Sequence, residues 1–287
     1  MYNMKYFIQS FFVIVLLIIF RLIGLKYSRI FSGNMFKIFG PKFRSQKISL
    51  NNISKALPNL SLAEQSKILE KMWFNYGMIL AEYVFINKFR NSNNFSKNIL
   101  VENQNELDSI RNKSKPVIFI SGHFNNFELM AMHIEKSGID LAAIYRPLNN
   151  KFLNPIMESI RKKYICKKQI KKGMSGVKES LKKFKEGTSI ALMIDQRVSE
   201  GIRSELFGEK SFTTTIPAQF VKKFGAEIVP VYVERIHTEK FKIKFHKALK
   251  FSSDDSIENI TLELNKILEK MILKNPEQWI WTHNRWK

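Results

Sequence analysis

The sequence contains very little cysteine and none of the usual signatures of metal or nucleotide binding. Among 287 residues there is one cysteine, Cys166, so an intrachain disulfide is excluded and a reducing compartment is favoured. Cys166 lies in a lysine-rich stretch with no histidine nearby, which favours a structural or incidental role. There is no zinc-type spacing, no G-x-G-x-x-G and no P-loop. We therefore predict neither a metal nor a cofactor.

The chain is also poor in acidic residues, with 25 Asp and Glu against 47 Lys and Arg and a net charge of +22. Such an excess favours anionic partners, namely phospholipid headgroups, nucleic acid or an acidic carrier protein. Composition alone accounts for part of it, because Lys, Asn and Ile are all abundant, as an AT-rich genome would produce. RNA-binding signatures and regular aromatic–basic platforms are missing, so nucleic acid is not predicted as a partner.

A nearly uninterrupted apolar run occupies residues 6–20, between Lys5 and Arg21. Fifteen helical residues span about 22 Å, short of the ~30 Å hydrocarbon core. Extension to Leu25 reaches that thickness if Arg21 extends its charged end to the interface. No small-residue cleavage site follows, so an anchor is favoured over a signal peptide.

Basic residues lie almost entirely on the C-terminal side of this run. One lysine precedes it, whereas the following residues include Arg21, Lys26, Arg29, Lys37, Lys42, Arg44 and Lys47. The positive-inside rule therefore predicts a single-pass anchor with the main body in the cytoplasm. The basic stretch 33–47 suits a segment lying on anionic lipid and equally a solvated loop.

The remaining pattern predicts an α/β fold. Ser61 and Glu64 form a capping box for a helix that continues to about residue 86. Strands are predicted at 117–121, 141–145, 189–194, 228–233 and 240–245, the last antiparallel to its predecessor, and helices at 126–136, 150–163, 177–184, 217–224 and 257–274. This alternation predicts a mixed, mostly parallel sheet flanked by helices. We divide the chain into an anchor (1–26), a helical membrane-proximal part (27–100) and an α/β catalytic core (101–287).

The turn at residues 121–128 carries the residues of greatest chemical interest. His123 and Glu128 follow a predicted strand, where ligands bind in open α/β sheets. A histidine oriented by a carboxylate can act as a general base. Positions i and i+5 lie about 140° apart on a helix, so the two meet only if His123 is in the turn. Alternatively Asn125 caps the helix, with Glu128 completing a capping box.

Polar residues follow three of the predicted strands. They are His123 to Glu128, then Tyr145 and Arg146, and finally Asp195, Gln196 and Arg197. In a parallel sheet these ends share one edge, which favours a common site. An arginine there suits a phosphate or an oxyanion, and Asp195 could hold Arg146 or Arg197 in place.

At these residues the chain resembles the bacterial lipid A biosynthesis acyltransferases, within the wider glycerolipid acyltransferase group marked by H-x4-D/E. The similar positions are Gly122-His123-Phe124 with Asn126 and Glu128, 144–150, 191–196, 207–208 with Thr214 and Pro217, 225–226, 228–230, Arg235 and 276–287, preceded by 57–61 and 75–77 with Glu82. The resemblance runs in order from about residue 51 to the last residue. The chain departs from the family at 125–127 and at Asn284, which bears on acyl length and acceptor.

The resemblance implies an acyltransferase with a glycerolipid-acyltransferase-like fold in the bacterial inner membrane. Its donor would be an acyl carrier protein thioester, and its acceptor a hydroxyl of a lipid A precursor. His123 and Glu128 would be catalytic, and the substrate-binding residues would be Asn126, Tyr145, Arg146, Asp195, Gln196 and Arg197. The alternatives are a lysophospholipid, ornithine-lipid or other glycolipid acceptor, or a basic membrane-anchored binding protein without catalysis.

Overall fold

The computed structural model describes residues 2–113 and 115–287, with side chains from Met4 onward. The N-terminal helices are α1 (Tyr2–Phe43), α2 (Gln46–Ala56), α3 (Leu62–Val84), α4 (Ile86–Asn91) and α5 (Asn93–Ser96). The α/β part consists of β1 (Ile99–Glu102), α6 (Gln104–Lys113), β2 (Ile118–Ser121), α7 (Glu128–Lys136), β3 (Leu141–Tyr145), α8 (Asn154–Tyr164), β4 (Lys168–Lys171), α9 (Met174–Lys185), β5 (Ser189–Met193), β6 (Ile202–Leu206), β7 (Glu209–Thr213), α10 (Ile216–Phe224), β8 (Ile228–His237), β9 (Lys240–Phe245), α11 (Ile257–Lys274) and a 3₁₀ turn at Pro276–Gln278.

Helix α1 is long and apolar enough from Met4 to Phe43 to anchor in a membrane. A kink at Gly24, where φ is 80°, separates its two halves. The second half packs closely on α3, because a Cβ atom at Gly77 would collide with the backbone carbonyl of Ser32. The stretch 33–47, for which a solvated loop was one of two predictions, is mostly helical in the structure. The division of the chain at residues 26 and 100 stays a prediction.

Seven strands form the main sheet, in the order β1-β9-β8-β2-β5-β3-β4. Its neighbouring strands are parallel except for β8 and β9, which are antiparallel, as the sequence predicted. Strands β6 and β7 form a separate antiparallel pair. The predicted fold class, a mixed and mostly parallel sheet flanked by helices, is confirmed. Predicted bounds for β3 and α11 match the structure, and Ser61 and Glu64 do form a capping box at the start of α3.

The edge strands β1 and β4 were not predicted, because each has only four residues and β4 is mostly polar. Strands β1 and β4 lie at the two edges of the sheet, and β4 has the sequence Lys-Gln-Ile-Lys. An edge strand carries charged side chains because it must not pair with another chain, so it lacks the apolar run that marks a central strand. Strand β2, by contrast, is buried along its full length between the helical layers.

Two hydrophobic cores lie on opposite faces of the sheet. One includes residues of α9, α10 and α11. The other includes residues of α7 and the side chain of Ile165 just after α8. The helices thus cover both faces and leave the carboxyl ends of β2, β5 and β3 side by side at one edge.

Candidate active site

The turn between β2 and α7 is held by the C-terminal segment of the chain. Phe124 forms an antiparallel bridge with Trp279, and the N–H of Asn125 donates to the carbonyl of Gln278 at 3.0 Å. Asn125 has a positive φ of 44°, and its side chain bonds Gln278 and Arg235. It is therefore not a helix cap, and the predicted capping box with Glu128 is wrong. Helix α7 begins at Glu128, two residues later than predicted.

His123 is held by Asp195, and not by Glu128 as the sequence analysis expected. The His123 Nδ1–H donates to Asp195 Oδ1 at 2.8 Å, and the His123 backbone N–H donates to Asp195 Oδ2 at 2.8 Å. The reason lies in the register of β2 and β5, which pairs Ser121 with Met193. His123 lies two residues after Ser121, and Asp195 lies two residues after Met193, so the two side chains leave the sheet next to each other. Asp195 therefore does not serve as the predicted holder of Arg146 or Arg197.

The Asp195 carboxylate is buried and fully ionised. Besides His123, it accepts a 2.8 Å hydrogen bond from Trp279 Nε1. Burial alone would raise the pKa of Asp195, but the charge and hydrogen bonds of His123 and the bond from Trp279 lower it to about 2. The partly exposed His123 ring packs edge-on against Phe127 at 4.8 Å between centroids. Its Nε2 has no hydrogen-bond partner among the residues that the structure describes.

Glu128 is the centre of a second polar cluster at the start of α7. Its Oε1 accepts hydrogen bonds from Arg161 Nε at 2.8 Å and Nη2 at 2.6 Å, and another from the Tyr83 hydroxyl. Burial and the Glu128 charge raise the pKa of Tyr83 well above its ordinary value. Arg161 lies on α8 and also packs on the Tyr145 ring, with Cζ 5.6 Å from the centroid. Arg161 is not predicted from the sequence, because it belongs to a run of basic residues and does not follow a strand.

Two of the predicted substrate-binding residues form hydrogen bonds inside the protein, although the buried Asn126 Oδ1 has no hydrogen-bond partner among the described residues. Asn126 is fully buried, and its Nδ2 donates to Glu82 Oε2 at 3.0 Å. The Tyr145 hydroxyl donates to Glu158 Oε1 at 2.6 Å. Asn126 therefore supports the turn from behind, away from the sheet edge.

The remaining predicted residues lie near the same edge. Arg146 is exposed directly after β3, and Gln196 is half-buried after β5. The backbone N–H of Arg197 donates to His283 Nε2 at 2.9 Å, and its guanidinium lies 5.6 Å from the Phe212 centroid. Burial lowers the pKa of His283 to about 4, so this imidazole is neutral and accepts that hydrogen bond. Strands β2, β5 and β3 do bring all three polar ends together, as predicted.

A buried charge cluster links α1 to the His123 turn. Glu82 of α3 is fully buried, and its carboxylate binds Arg29 of α1 at 2.7 Å and Arg235 of β8 at 2.8 and 3.1 Å. Arg235 Nε in turn donates to Asn125 Oδ1 at 3.2 Å. Sequence reasoning found Glu82 and Arg235 only through the family resemblance, because these residues are far apart in the chain.

Glu82→Gln should destabilise the folded protein by about 3–5 kcal/mol, because two buried guanidinium groups lose their carboxylate. Burial alone would raise the pKa of Glu82, but Arg235 and Arg29 lower it below its ordinary value. A depressed pKa contributes stability above pH ~4.5 that is lost as the pH falls through the folded-state value. Thermal unfolding of both proteins between pH 7 and pH 3 measures this effect. We expect the difference between them to shrink on acidification, and a constant difference would contradict the ionic role.

A metal site is not evident within residues 2–113 and 115–287, where no group of three His, Cys, Asp or Glu side chains could hold an ion. The chemical capacity of the site lies instead in two separate acid–base pairs. His123 with Asp195 can accept a proton at Nε2, and Glu128 holds the Arg161 guanidinium in an ion pair at the start of α7. The arrangement suits abstraction of a hydroxyl proton followed by attack on a carbonyl.

Comparison with known proteins agrees with this chemistry. The family model for bacterial lipid A biosynthesis acyltransferase matches residues 2–287. The chain is 25% identical over 256 residues to lipid A biosynthesis lauroyltransferase of Escherichia coli K12, covering 85% of this chain and 79% of that protein. It is 23% identical over 239 residues to lipid A biosynthesis acyltransferase 2 of Shigella flexneri, covering 80% and 74%. A palmitoleoyltransferase of lipid A biosynthesis from E. coli K12 is 23% identical over 249 residues, covering 85% and 79%.

Proposed function

This chain belongs to the bacterial lipid A biosynthesis acyltransferase family, and we propose that it moves a fatty acyl group from an acyl carrier protein thioester to a hydroxyl of a lipid A precursor. The observation that carries this proposal is the His123 imidazole at the sheet edge, held through Nδ1 by buried Asp195. With Nδ1 protonated, Nε2 carries the lone pair that a general base needs.

The reaction would proceed by direct transfer. His123 Nε2 takes the proton of the acceptor hydroxyl while the hydroxyl oxygen attacks the thioester carbonyl, forming the new ester C–O bond through a tetrahedral oxyanion. Collapse of that oxyanion breaks the C–S bond, and the proton on His123 passes to the departing thiolate. Asp195 stabilises the imidazolium in between, as the carboxylate does in other histidine-based transfer sites. No acyl-enzyme is required, and the buried Cys166, whose pKa burial raises to about 12, takes no part.

The oxyanion needs a positive group that is already in position. Arg161 is held by Glu128 and Tyr83 at the start of α7. The N–H groups of Leu129 and Met130 in the first turn already donate to the carbonyls of Asn126 and Phe127, so the guanidinium is the group in position. We assign to this group the stabilisation of the developing negative charge or of an acceptor phosphate. Glu128 then acts by fixing Arg161, so in this proposal it is a positioning residue.

The location that fits this substrate is the inner face of the bacterial inner membrane. Helix α1 exposes large apolar side chains along its outer face, including Phe7, Phe11, Phe12 and Ile18. Lys5 and Arg21 flank its first half, and most of the following charges are basic. We propose that α1 holds the body on the cytoplasmic side, where an anionic surface attracts it.

Glu128→Gln should lower kcat for acyl transfer by about 10²-fold with little change in KM, because a neutral amide holds the Arg161 guanidinium less firmly in position. A matched control exists on the same helix. Glu135 pairs with Arg90 seven residues further along α7, so Glu135→Gln breaks a comparable Glu–Arg pair away from His123. Steady-state kinetics of both variants measure the difference. Equal kcat values for the two would show that Glu128 has only a structural role.

Transfer itself is tested with the purified full-length protein in lipid vesicles. The protein is given acyl carrier protein loaded with acyl chains of several lengths and a lipid A precursor, and products are read by mass spectrometry. We expect the precursor to gain the mass of one acyl chain. Acylation of a lysophospholipid or an ornithine lipid in a mixed lipid extract, with none of the precursor, would refute the acceptor assignment. If no acyl group is transferred to any acceptor, the proposal that the protein is an acyltransferase is refuted.

A further inference from the structure

A strongly basic surface covers the β4 edge of the sheet. Residues 161–185 contain eleven basic residues and a single acidic one, Glu179. We call the ten lysines of this stretch the basic edge, and most of them are exposed; they are Lys162, Lys163, Lys167, Lys168, Lys171, Lys172, Lys178, Lys182, Lys183 and Lys185. Two of them have acidic partners, Lys168 with Asp140 and Lys171 with Glu158. The other eight form no ion pair with a described residue, so their charge is available to a partner.

Protection of an edge strand explains only part of this surface. Lysines on β4 itself prevent the strand from pairing with another chain, which accounts for Lys168 and Lys171. It does not account for Lys178 and Lys182, which lie four residues apart on one face of α9 and outside the strand. These two are exposed, and their charges point away from the protein core.

A bilayer is a poor match to the basic edge. Among the described residues between 157 and 188, the only exposed large apolar side chain is Met174. Most of the exposed large apolar side chains lie instead on α1, where Phe7 packs edge-on against Phe152 at 5.8 Å between centroids. A surface with dense positive charge and almost no apolar area suits an acidic, water-soluble protein.

The basic edge also lies within reach of the catalytic turn. Parallel pairing of β3 with β4 places Lys171 opposite Tyr145, so Lys171 and Lys172 lie at the edge where His123 is found. Strands β5 and β3 separate β4 from β2, and three strand spacings amount to about 14 Å. A partner bound on α9 and β4 can therefore extend a flexible arm along the strand ends to His123.

We propose that the basic edge is the docking surface for the acidic carrier protein that delivers the acyl thioester, an inference that rests on the proposed function. Its lysines attract the carrier electrostatically and orient it so that the thioester enters from the β4 side. The acceptor lipid enters from the side of α1, where the apolar surface lies. The two substrates thus reach His123 from different directions.

The test compares two double substitutions in the full-length protein. Lys178→Glu with Lys182→Glu reverses two charges of the basic edge on α9. Lys266→Glu with Lys270→Glu is the matched control, because these lysines are also four apart and exposed, on α11. Transfer is measured with acyl carrier protein thioester and with a carrier-free acyl-N-acetylcysteamine thioester. The α9 variant should raise KM for the carrier thioester at least tenfold and leave carrier-free transfer unchanged, whereas the control should change both less than twofold.

Further measurements separate the possible outcomes. Lys178→Arg with Lys182→Arg should keep the wild-type KM, since charge and not lysine is required. If KM for the carrier thioester is unchanged in the α9 glutamate variant, or rises equally in the α11 control, the basic edge is not the docking surface. Neither result would contradict the proposed acyl transfer. Loss of binding to anionic vesicles with an unchanged carrier KM would assign the basic edge to lipid and overturn the proposal. A wild-type protein that turns over neither thioester would refute the proposed function itself.

Discussion

His123→Ala should reduce acyl transfer by about 10²–10⁴-fold, because the acceptor hydroxyl loses the group that takes its proton. The imidazole is partly exposed and its ring contacts that of Phe127, so the variant should fold and remain in the membrane fraction. Initial rates with the carrier thioester and the lipid acceptor measure the effect. Melting temperature and sedimentation with membranes, measured on the same preparation, show whether the protein is intact.

The control for this experiment is His237→Ala, which removes an exposed histidine from the last position of β8. It should keep nearly full activity. If His123→Ala retained more than about a tenth of the wild-type rate while folding normally, His123 would not be the general base, and another group would have to accept the proton.

Asp195→Asn should lower kcat by up to about 10⁴-fold without loss of the fold, because it places the His123 proton on the wrong nitrogen. Two donors, Trp279 Nε1 and the His123 backbone N–H, point at Oδ2. The amide oxygen of asparagine must take that position, so its NH₂ group faces Nδ1. Nδ1 then becomes the acceptor and Nε2 carries the hydrogen, which leaves no lone pair for the substrate proton.

Steady-state kinetics of Asp195→Asn measure this effect, with Asp140→Asn as the control. Asp140 is a largely exposed carboxylate that pairs with Lys168. The Asp140 variant should transfer acyl groups normally. NMR of the imidazole nitrogens of His123 provides an independent readout, with the proton expected on Nδ1 in the wild type and on Nε2 in the variant. A variant with wild-type kcat would show that Asp195 is structural and would return the orienting role to Glu128.

The three polar strand ends meet at one edge of the sheet, as the sequence predicted, but the side-chain contacts there differ from the predicted ones. Strand ends can be read locally, because a central strand is an apolar run and its end is the first polar residue. That reading placed His123, Tyr145 and Asp195 at one edge, and the adjacent parallel strands agree. It paired His123 with Glu128 because they are five residues apart, whereas Asp195 is 72 residues away.

The order of strands supplies what the local reading lacks. Because β5 inserts between β2 and β3, the residue two positions past Met193 lies beside the residue two positions past Ser121. With β5 placed beside β2, the sequence alone would predict the contact between His123 and Asp195. The Glu82 cluster offers no such route, since it joins α1, α3, β8 and the turn through side chains from four separate parts of the chain.

Periodicity and composition alone determined the apolar N-terminal helix, the mixed α/β sheet and the sheet edge at which the three polar strand ends meet. These features follow from the burial of apolar side chains, which repeats along the chain with the period of each element. Only the tertiary structure decided that Asp195 binds His123, that Glu128 holds Arg161, and that Glu82 joins α1 to the His123 turn. The order of the strands and the packing of the helices determine which polar groups come close together. A buried carboxylate then accepts hydrogen bonds from the donors that this packing brings within about 3 Å.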